Sequence, residues 1–414
     1  MRSTFYRCGW LVLVGVSLLT IVGSTTLAQE WTRFRGPNGT GLSDAKTIPA
    51  TWTDKDYRWQ VDLPGIGHAS PVIWGDKIFL LSADGENATR IVLCLDAADG
   101  HTLWSRSYPS TAHTKHQLNS FASATPAVDA EQVYVAWSTP EEYTFVAFDH
   151  AGNEKWKLNL GPFISQHSCG TSPIVYEDLV ILGNDQDGDS SLVAVERLTG
   201  SIRWKAPRKK AVVAYSTPCV YTPAGGKPEL IFNSEAHGIS STDPATGNTN
   251  WELEVFTMRS VSSPIIAAGL IFGSCGSGGG GNYVVGIKPG GPGVAPEIAY
   301  KVTKSAPYVP TPVAKGDLLF LWSDQGIVTC IDAATGNQHW QQRVGGKFFG
   351  SPVCVDDRLY CMSAEGEVVV LAAAPEYELL GRQSLGDPSH STPAVSGGVM
   401  YLRTFTKLFA IGGK

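Results

Sequence analysis

Short apolar segments separated by tight turns recur along the whole chain. Each unit begins at a Ser/Thr-Pro pair, turns into a second apolar strand such as Lys77-Ile78-Phe79-Leu80-Leu81, and continues into a third strand. The pair occurs eight times, at intervals of 40 to 55 residues: Ser70-Pro71, Thr125-Pro126, Ser172-Pro173, Thr217-Pro218, Ser263-Pro264, Thr311-Pro312, Ser351-Pro352 and Thr392-Pro393. Four short strands per unit are typical of one propeller blade. The pattern predicts an all-β, eight-bladed β-propeller of four-stranded antiparallel blades.

An acidic residue, a glycine and a tryptophan mark the turn between the third and fourth strands. The copies are Asp96/Gly100/Trp104, Asp149/Gly152/Trp156, Glu196/Gly200/Trp204, Asp243/Gly247/Trp251 and Asp332/Gly336/Trp340. Glycine tolerates the positive φ of a tight turn. The large tryptophan is predicted to pack between neighbouring blades. The fifth and seventh units lack the motif.

The two ends of the chain are predicted to share one blade. The last unit, from Thr392 to Gly412, supplies only three strands. A matching fourth strand lies in residues 57–63, where Trp59 stands 45 residues before Trp104, in step with the series. Pairing the N-terminal strand into the C-terminal blade would close the ring and leave no open edge. The propeller is therefore assigned to residues 57–414.

Residues 1–28 are predicted to be a signal peptide. Arg2 and Arg7 precede an apolar run from Gly9 to Gly23, and Thr26-x-Ala28 suits a cleavage site. Cleavage near Ala28 predicts an exported protein, periplasmic or extracellular, with no stable membrane anchor. Residues 29–56 would then form a leader arm.

Composition and cysteine spacing exclude several classes of protein. The chain is 43% hydrophobic with a net charge of −6, and its longest basic run has three residues, which disfavours nucleic-acid binding. No C-x-x-C occurs, so c-type haem attachment and familiar zinc spacings are absent. Cys94 and Cys330 occupy the same place in two repeats and are predicted to be small buried hydrophobes.

These repeats resemble those of the pyrroloquinoline-quinone-type (PQQ-like) eight-bladed propeller superfamily. The segment from Trp31 to Gly41 resembles the leader that often precedes such bacterial propellers. The superfamily includes quinoprotein alcohol dehydrogenases and a non-enzymatic scaffold lipoprotein of the outer-membrane assembly machine. This chain lacks the adjacent Cys-Cys pair that the dehydrogenases carry against the quinone. After eight blades, its length leaves few residues for insertions that would cover a cofactor. The resemblance is therefore closer to the assembly-scaffold type.

The loops that lead into the inner strands share one face of a propeller and carry the candidate ligand-binding residues. They contain His68, His116, His167 and His390 from blades one, two, three and eight, and Tyr215, Arg259, Tyr308 and Lys347 from blades four to seven. The histidines suit a metal or an anionic ligand, with protonation expected near pH 6.5, or they line a wet channel mouth. A shared site requires the imidazoles of His68 and His390 to lie within about 10 Å of each other.

A second candidate site is the acidic hairpin of blade three. Asp185, Asp187 and Asp189 alternate there, a pattern that suits Ca²⁺ or a solvated turn. No hydrolase motif accompanies either candidate, so no catalytic residue is assigned.

The sequence is consistent with two functions. The first is a monomeric scaffold that binds a protein or peptide, or else a small molecule, with no catalysis and no cofactor; PQQ is disfavoured and Ca²⁺ stays open. The alternative is a quinoprotein-like or metal-dependent oxidoreductase using the same face. Exposed apolar patches would favour the scaffold, and a deep polar pocket with shifted pKa values would favour the enzyme.

Overall fold

A computed structural model of the chain describes Met1, Thr4 and residues 30–291 and 293–413. The described strands form eight sheets of four antiparallel strands each, one of which gains a fifth strand. The predicted eight-bladed propeller is thus confirmed. Apart from Met1 and Thr4, the predicted signal peptide lies outside the described residues. In the part of the chain that the structure describes, no helix has the length and apolar character needed to cross a membrane.

The blades follow one another in chain order. Blades 1 and 2 contain Val72–Trp74 (β3), Lys77–Ala83 (β4), Arg90–Asp96 (β5), Thr102–Tyr108 (β6), Ala127–Val128 (β7), Gln132–Ser138 (β8), Tyr143–Asp149 (β9) and Glu154–Asn159 (β10). Blades 3 and 4 contain Ile174–Tyr176 (β11), Leu179–Asn184 (β12), Ser191–Glu196 (β13), Ile202–Pro207 (β14), Cys219–Tyr221 (β15), Glu229–Ser234 (β16), Gly238–Thr242 (β17) and Thr249–Leu253 (β18).

The second half of the ring repeats this order. Blades 5 and 6 contain Ile265–Ala267 (β19), Leu270–Cys275 (β20), Tyr283–Lys288 (β21), Glu297–Val302 (β22), Val313–Lys315 (β23), Leu318–Trp322 (β24), Ile327–Asp332 (β25) and Gln338–Arg343 (β26). Blades 7 and 8 contain Leu42–Ser43 (β1), Val353–Val355 (β27), Arg358–Met362 (β28), Glu367–Ala372 (β29), Leu379–Ser384 (β30), Tyr57–Asp62 (β2), Ala394–Ser396 (β31), Val399–Arg403 (β32) and Lys407–Gly412 (β33). A short 3₁₀ helix spans Pro37–Gly39.

The N-terminal strand closes the ring in blade 8, as predicted. Strand β2 pairs antiparallel with β33, and Trp59 lies opposite Ala410. The indole of Trp59 donates a hydrogen bond to the carbonyl of Ala97 in blade 1 at 3.1 Å. It also covers Gly100, which has a φ of 79° and where a Cβ would lie only 2.8 Å from the indole. The motif glycine therefore permits the tight turn and also leaves space for the tryptophan of the preceding blade.

The same contact repeats around the ring and confirms the predicted packing between blades. The tryptophan Nε1 donates to a turn carbonyl of the next blade at 2.9 to 3.0 Å in four further places: Trp104 to His150, Trp156 to Arg197, Trp204 to Pro244 and Trp340 to Ala374. In blade 5, which lacks the tryptophan, the hydroxyl of Tyr300 donates to the carbonyl of Ala333 at 2.7 Å.

A closed ring of eight hydrogen bonds joins the inner ends of the blades. The backbone N–H of each Ser/Thr before proline donates to the hydroxyl of the corresponding residue in the next blade. The pairs are Ser70 to Thr125 (2.9 Å), Thr125 to Ser172 (2.9 Å), Ser172 to Thr217 (3.3 Å), Thr217 to Ser263 (3.0 Å), Ser263 to Thr311 (2.9 Å), Thr311 to Ser351 (2.9 Å), Ser351 to Thr392 (2.9 Å) and Thr392 to Ser70 (3.2 Å). This hydroxyl ring explains why the residue before each proline is serine or threonine.

The cysteines belong to the buried packing of the blades. All seven described cysteines are free and buried. Cys94 and Cys330 have no exposed surface, which confirms the prediction that they act as small hydrophobes. Burial raises the pKa of both thiols to about 12.

Candidate functional site: a funnel closed at one end

The leader closes one end of the central channel. Residues 31–43, which we call the plug, hydrogen-bond to the inner strands of three blades through their carbonyls. The N–H groups of Ile73, Val128 and Cys354 donate to Trp31, Thr32 and Gly41 at 2.9, 2.8 and 2.7 Å. Trp31 is completely buried. The channel therefore opens on one face only.

Two buried arginines of the plug reach the proline carbonyls beside the hydroxyl ring. Arg33 donates to Pro218, and Arg35 donates to Pro312 at 2.8 Å and to Pro352 at 3.3 Å. In the described part of the chain neither guanidinium has a carboxylate partner. Desolvation lowers the pKa of Arg33 to about 10 and that of Arg35 to about 9, so both remain charged at neutral pH.

Above the plug lies a funnel with a volume of 1140 Å³. Phe34 and the hydroxyl ring form its floor, and the loops before the inner strands form its walls together with the loops between second and third strands. All eight predicted ligand-binding residues line it: His68, His116, His167, Tyr215, Arg259, Tyr308, Lys347 and His390. The structure thus brings the whole set together, and binding by these residues remains a prediction.

The four histidines form two touching pairs. The ring centroids of His68 and His390 are 4.6 Å apart, as are those of His116 and His167. The first pair meets the proposed distance limit for a shared site. It is packed among aromatic rings, because Phe405 stacks on His68 at 5.1 Å and Phe349 meets His390 at 4.6 Å.

Burial keeps the imidazoles of His68 and His390 neutral at pH 7. Desolvation, followed by the nearby charges of His390, Arg403 and Lys115, places the pKa of His68 well below 6.5. Desolvation also lowers the pKa of His390 to about 4. The expectation that the histidines titrate near pH 6.5 is therefore wrong for this pair, since the rings are packed together inside the funnel rather than exposed at its rim.

The opposite wall carries the charged groups. Arg259 donates through Nε to the carbonyl of Val213 at 3.2 Å. Burial raises the pKa of the Tyr308 phenol, and the nearby guanidinium of Arg259 opposes that rise. Asp324 accepts from the backbone N–H groups of Tyr308 and Val309 at 2.7 and 3.1 Å. Burial raises the pKa of the Asp324 carboxyl.

The acidic hairpin of blade 3 does not converge on one point. Asp185 pairs with Arg208 at 3.0 Å, and Asp187 accepts from the backbone N–H of Val213 at 2.8 Å. Asp189 pairs with a surface lysine. Each carboxylate thus has its own structural partner, and the arrangement provides no shared set of oxygens for Ca²⁺. Within residues 30–291 and 293–413, the one group of three potential metal ligands is exposed in the turn between β5 and β6, outside the funnel.

The funnel lining does not fit PQQ. Among its described residues there is no cysteine, so it does not offer the adjacent cysteine pair expected from the resemblance to dehydrogenases. Arg259 and Lys347 would suit the cofactor's carboxylates, but the cysteine pair that would lie against its flat ring system is absent from the described lining. We derive no step through this cofactor.

Several lining residues escaped the sequence analysis. Phe349 lies two residues before Ser351-Pro352, in the same kind of loop as the predicted residues, so the same spacing would have found it. Asp324 and Glu235 come from loops between second and third strands, where no repeated motif marks them. Phe34 reaches the floor from the plug, a placement that the repeat pattern does not predict.

Comparisons with known proteins agree with the fold. No curated protein matches the chain. Among solved structures, "Europium-containing methanol dehydrogenase" is similar at 12% identity and a TM-score of 0.69, covering 93% of this chain and 98% of that one. BamB from Moraxella catarrhalis is similar at 14% identity and a TM-score of 0.61, covering 85% and 97%. Quinohemoprotein alcohol dehydrogenase from Comamonas testosteroni is similar at 13% identity and 0.65, covering 93% and 80%.

These identities support a shared fold and leave function open, because scaffold and dehydrogenase share the propeller. The family model described as outer membrane protein assembly factor BamB (PQQ_2) matches residues 53–279 and 297–411. The chain belongs to this family.

Proposed function

We propose that this protein is an exported binding scaffold that receives its ligand in the funnel and carries out no catalytic step of its own. The observation that carries the proposal is the convergence of all eight inner-loop side chains on one cavity of 1140 Å³, closed below by the plug. A preformed cavity with a few polar groups among apolar ones is the usual form of a ligand site.

Exposed apolar side chains at the mouth of the funnel support the proposal that the ligand is a segment of a protein or peptide. Leu118 and Val212 line it with 39% and 37% of their surface exposed, and Ile164 stands nearby with 58% exposed. Apolar side chains at the rim of the cavity suit a partner that inserts one segment and covers the rim. The family's description as an outer-membrane assembly factor favours a periplasmic location and a protein partner.

The alternative is an oxidoreductase, and the shifted histidine pKa values in a deep pocket favour it. A catalytic histidine is usually oriented by a carboxylate or a carbonyl. Among the described residues neither His68 nor His390 pairs with a carboxylate, and they contact each other and the rings of Phe349 and Phe405. This environment suits the recognition of a ligand better than repeated proton transfer.

Protein purified from its native host tests the proposal. Denaturation should release one ligand from the wild type, which mass spectrometry would detect. A variant whose funnel is narrowed by Val212→Trp should release much less of that ligand. Leu379→Trp, on the outer strand of blade 7, is the matched control and should release as much ligand as the wild type. Quinone absorbance or a stoichiometric redox metal, together with alcohol oxidation, would contradict the proposal and favour the oxidoreductase.

A further inference from the structure

We infer that the part of the ligand that enters the funnel is an acidic group on an apolar body, and that Arg259 with Tyr308 holds the acidic group. This inference rests on the proposed function and names the chemistry of the ligand. Carboxylate and phosphate share that chemistry, and the test below separates them.

Arg259 is fixed in place but its charge is not neutralised. Its Nε donates to the Val213 carbonyl, and its guanidinium lies near Tyr308, whose pKa it lowers against the larger effect of burial; both residues line the funnel. Arg208, a cation in the neighbouring loop region, shows the contrast, because it pairs with Asp185 and is almost fully buried. In the described chain Arg259 has no carboxylate partner. A half-buried guanidinium with a phenol beside it is well suited to a planar or tetrahedral oxyanion.

Buried charges around the funnel add to this preference. Arg33 and Arg35 lie beneath the floor, and Arg403 lies behind His68, donating to the carbonyls of Ala69 and Leu81 at 2.7 Å each. All three guanidinium groups are bonded to neutral oxygens, so their charge remains uncompensated. The chain as a whole carries −6. In the lining itself, Arg259 and Lys347 are matched by Asp324 and Glu235. The three buried guanidinium groups therefore add positive charge around the funnel, and a low-dielectric cleft concentrates that potential.

The same charges argue against a metal ion at the histidines. The charges of Arg403 and Lys115 disfavour a positive charge on His68, and the charge of Arg259 disfavours one on His167. A divalent cation would meet the same repulsion. Of the two carboxylates in the lining, Asp324 and Glu235, Asp324 is already bonded to two backbone N–H groups.

Apolar lining completes the site. Met258 neighbours Arg259 in the chain, and Val309 neighbours Tyr308, and both side chains line the cavity with Phe349. An anion with an aromatic or aliphatic body would bury that body against these side chains while its acidic group meets the guanidinium.

Isothermal titration with three probes of one shape tests the inference. The probes are 1-naphthoate, 1-naphthyl phosphate and the neutral 1-naphthylmethanol. A charge-assisted hydrogen bond is roughly twice as strong as a neutral one, so we expect the better anion to bind the wild type at least about tenfold more tightly than the alcohol. Whichever of the two anions binds more tightly identifies the acidic group of the ligand as a carboxylate or a phosphate.

Variants connect the preference to Arg259. Arg259→Gln should remove the advantage of the anions and leave the affinity for 1-naphthylmethanol within about twofold, whereas Lys155→Gln, on the outer strand of blade 2, should change neither. If Arg259→Gln does not fold, Arg259→Lys keeps the charge without the fork and should reduce the advantage while retaining its dependence on salt.

The outcomes separate the two proposals. Equal affinity of the wild type for all three probes would overturn the anion inference and leave the funnel as a binding site. An advantage that survives in Arg259→Gln would also overturn it. Failure of every probe to bind would count against both the inference and the proposed function.

Discussion

Replacing Thr311 with valine removes one hydroxyl from the hydroxyl ring and little else. The two side chains have nearly the same shape, and Thr311 is 1% exposed. Its Oγ1 accepts the backbone N–H of Ser263 at 2.9 Å, inside the ring where both residues are buried. A buried N–H left without a partner costs about 1–3 kcal/mol. Thr311→Val should therefore destabilise the protein by about that amount.

Thermal unfolding measures this cost. An unfolding entropy of about 2.1 cal/mol/K per residue gives about 0.8 kcal/mol/K for about 380 described residues, so Tm should fall by about 1–4 °C. The control is Thr249→Val, at an exposed position on β18, which should change stability by no more than about 0.5 kcal/mol. Equal Tm values for the two variants would refute the idea that the hydroxyl ring stabilises the propeller.

Three further predictions concern closure, the plug and pH. Deleting residues 57–63 should expose an unpaired strand and cause aggregation in size-exclusion chromatography, and a monomer with unchanged Tm would rule out closure by Trp59. Trp31→Ala should cost about 3–5 kcal/mol and lower Tm by about 4–6 °C if the plug is part of the core; an unchanged Tm would show that it is dispensable. Because the folded pKa of His390 is about 4 and the unfolded value is near 6.5, its contribution to stability is complete above pH 6.5 and is lost as pH falls towards 4. In urea titrations, His390→Phe should make that loss smaller, by on the order of 2 kcal/mol, and an unchanged pH profile would contradict this assignment.

The periodic parts of the fold could be predicted because each blade repeats the same order of strands and turn residues. The Ser/Thr-Pro pairs located the inner strands, and the tryptophan series placed Trp59 in the last blade. The hydroxyl ring was missed because seven of its hydrogen bonds join residues 40 to 55 positions apart in the chain, and the eighth joins Thr392 to Ser70, 322 positions apart. The repeat pattern gave no role to the residue before each proline.

The candidate site was predicted in its membership but not in its chemistry. Equivalent loop positions of a closed ring must meet at one mouth, so eight of the lining residues could be identified from spacing alone. The protonation of His68 and His390 depends on contacts with Phe349 and Phe405, which repeat spacing does not encode. Arg33 and Arg35 reach the channel from the leader, outside the repeats, so their charge beneath the floor could not be predicted.

The most direct test is a crystal structure of the protein purified from its native host. Our account predicts ligand density inside the funnel, above Phe34, with an acidic group against Arg259 and no quinone or metal ion. Density for a tricyclic quinone with a bound metal ion, or a ligand bound only outside the funnel, would contradict it.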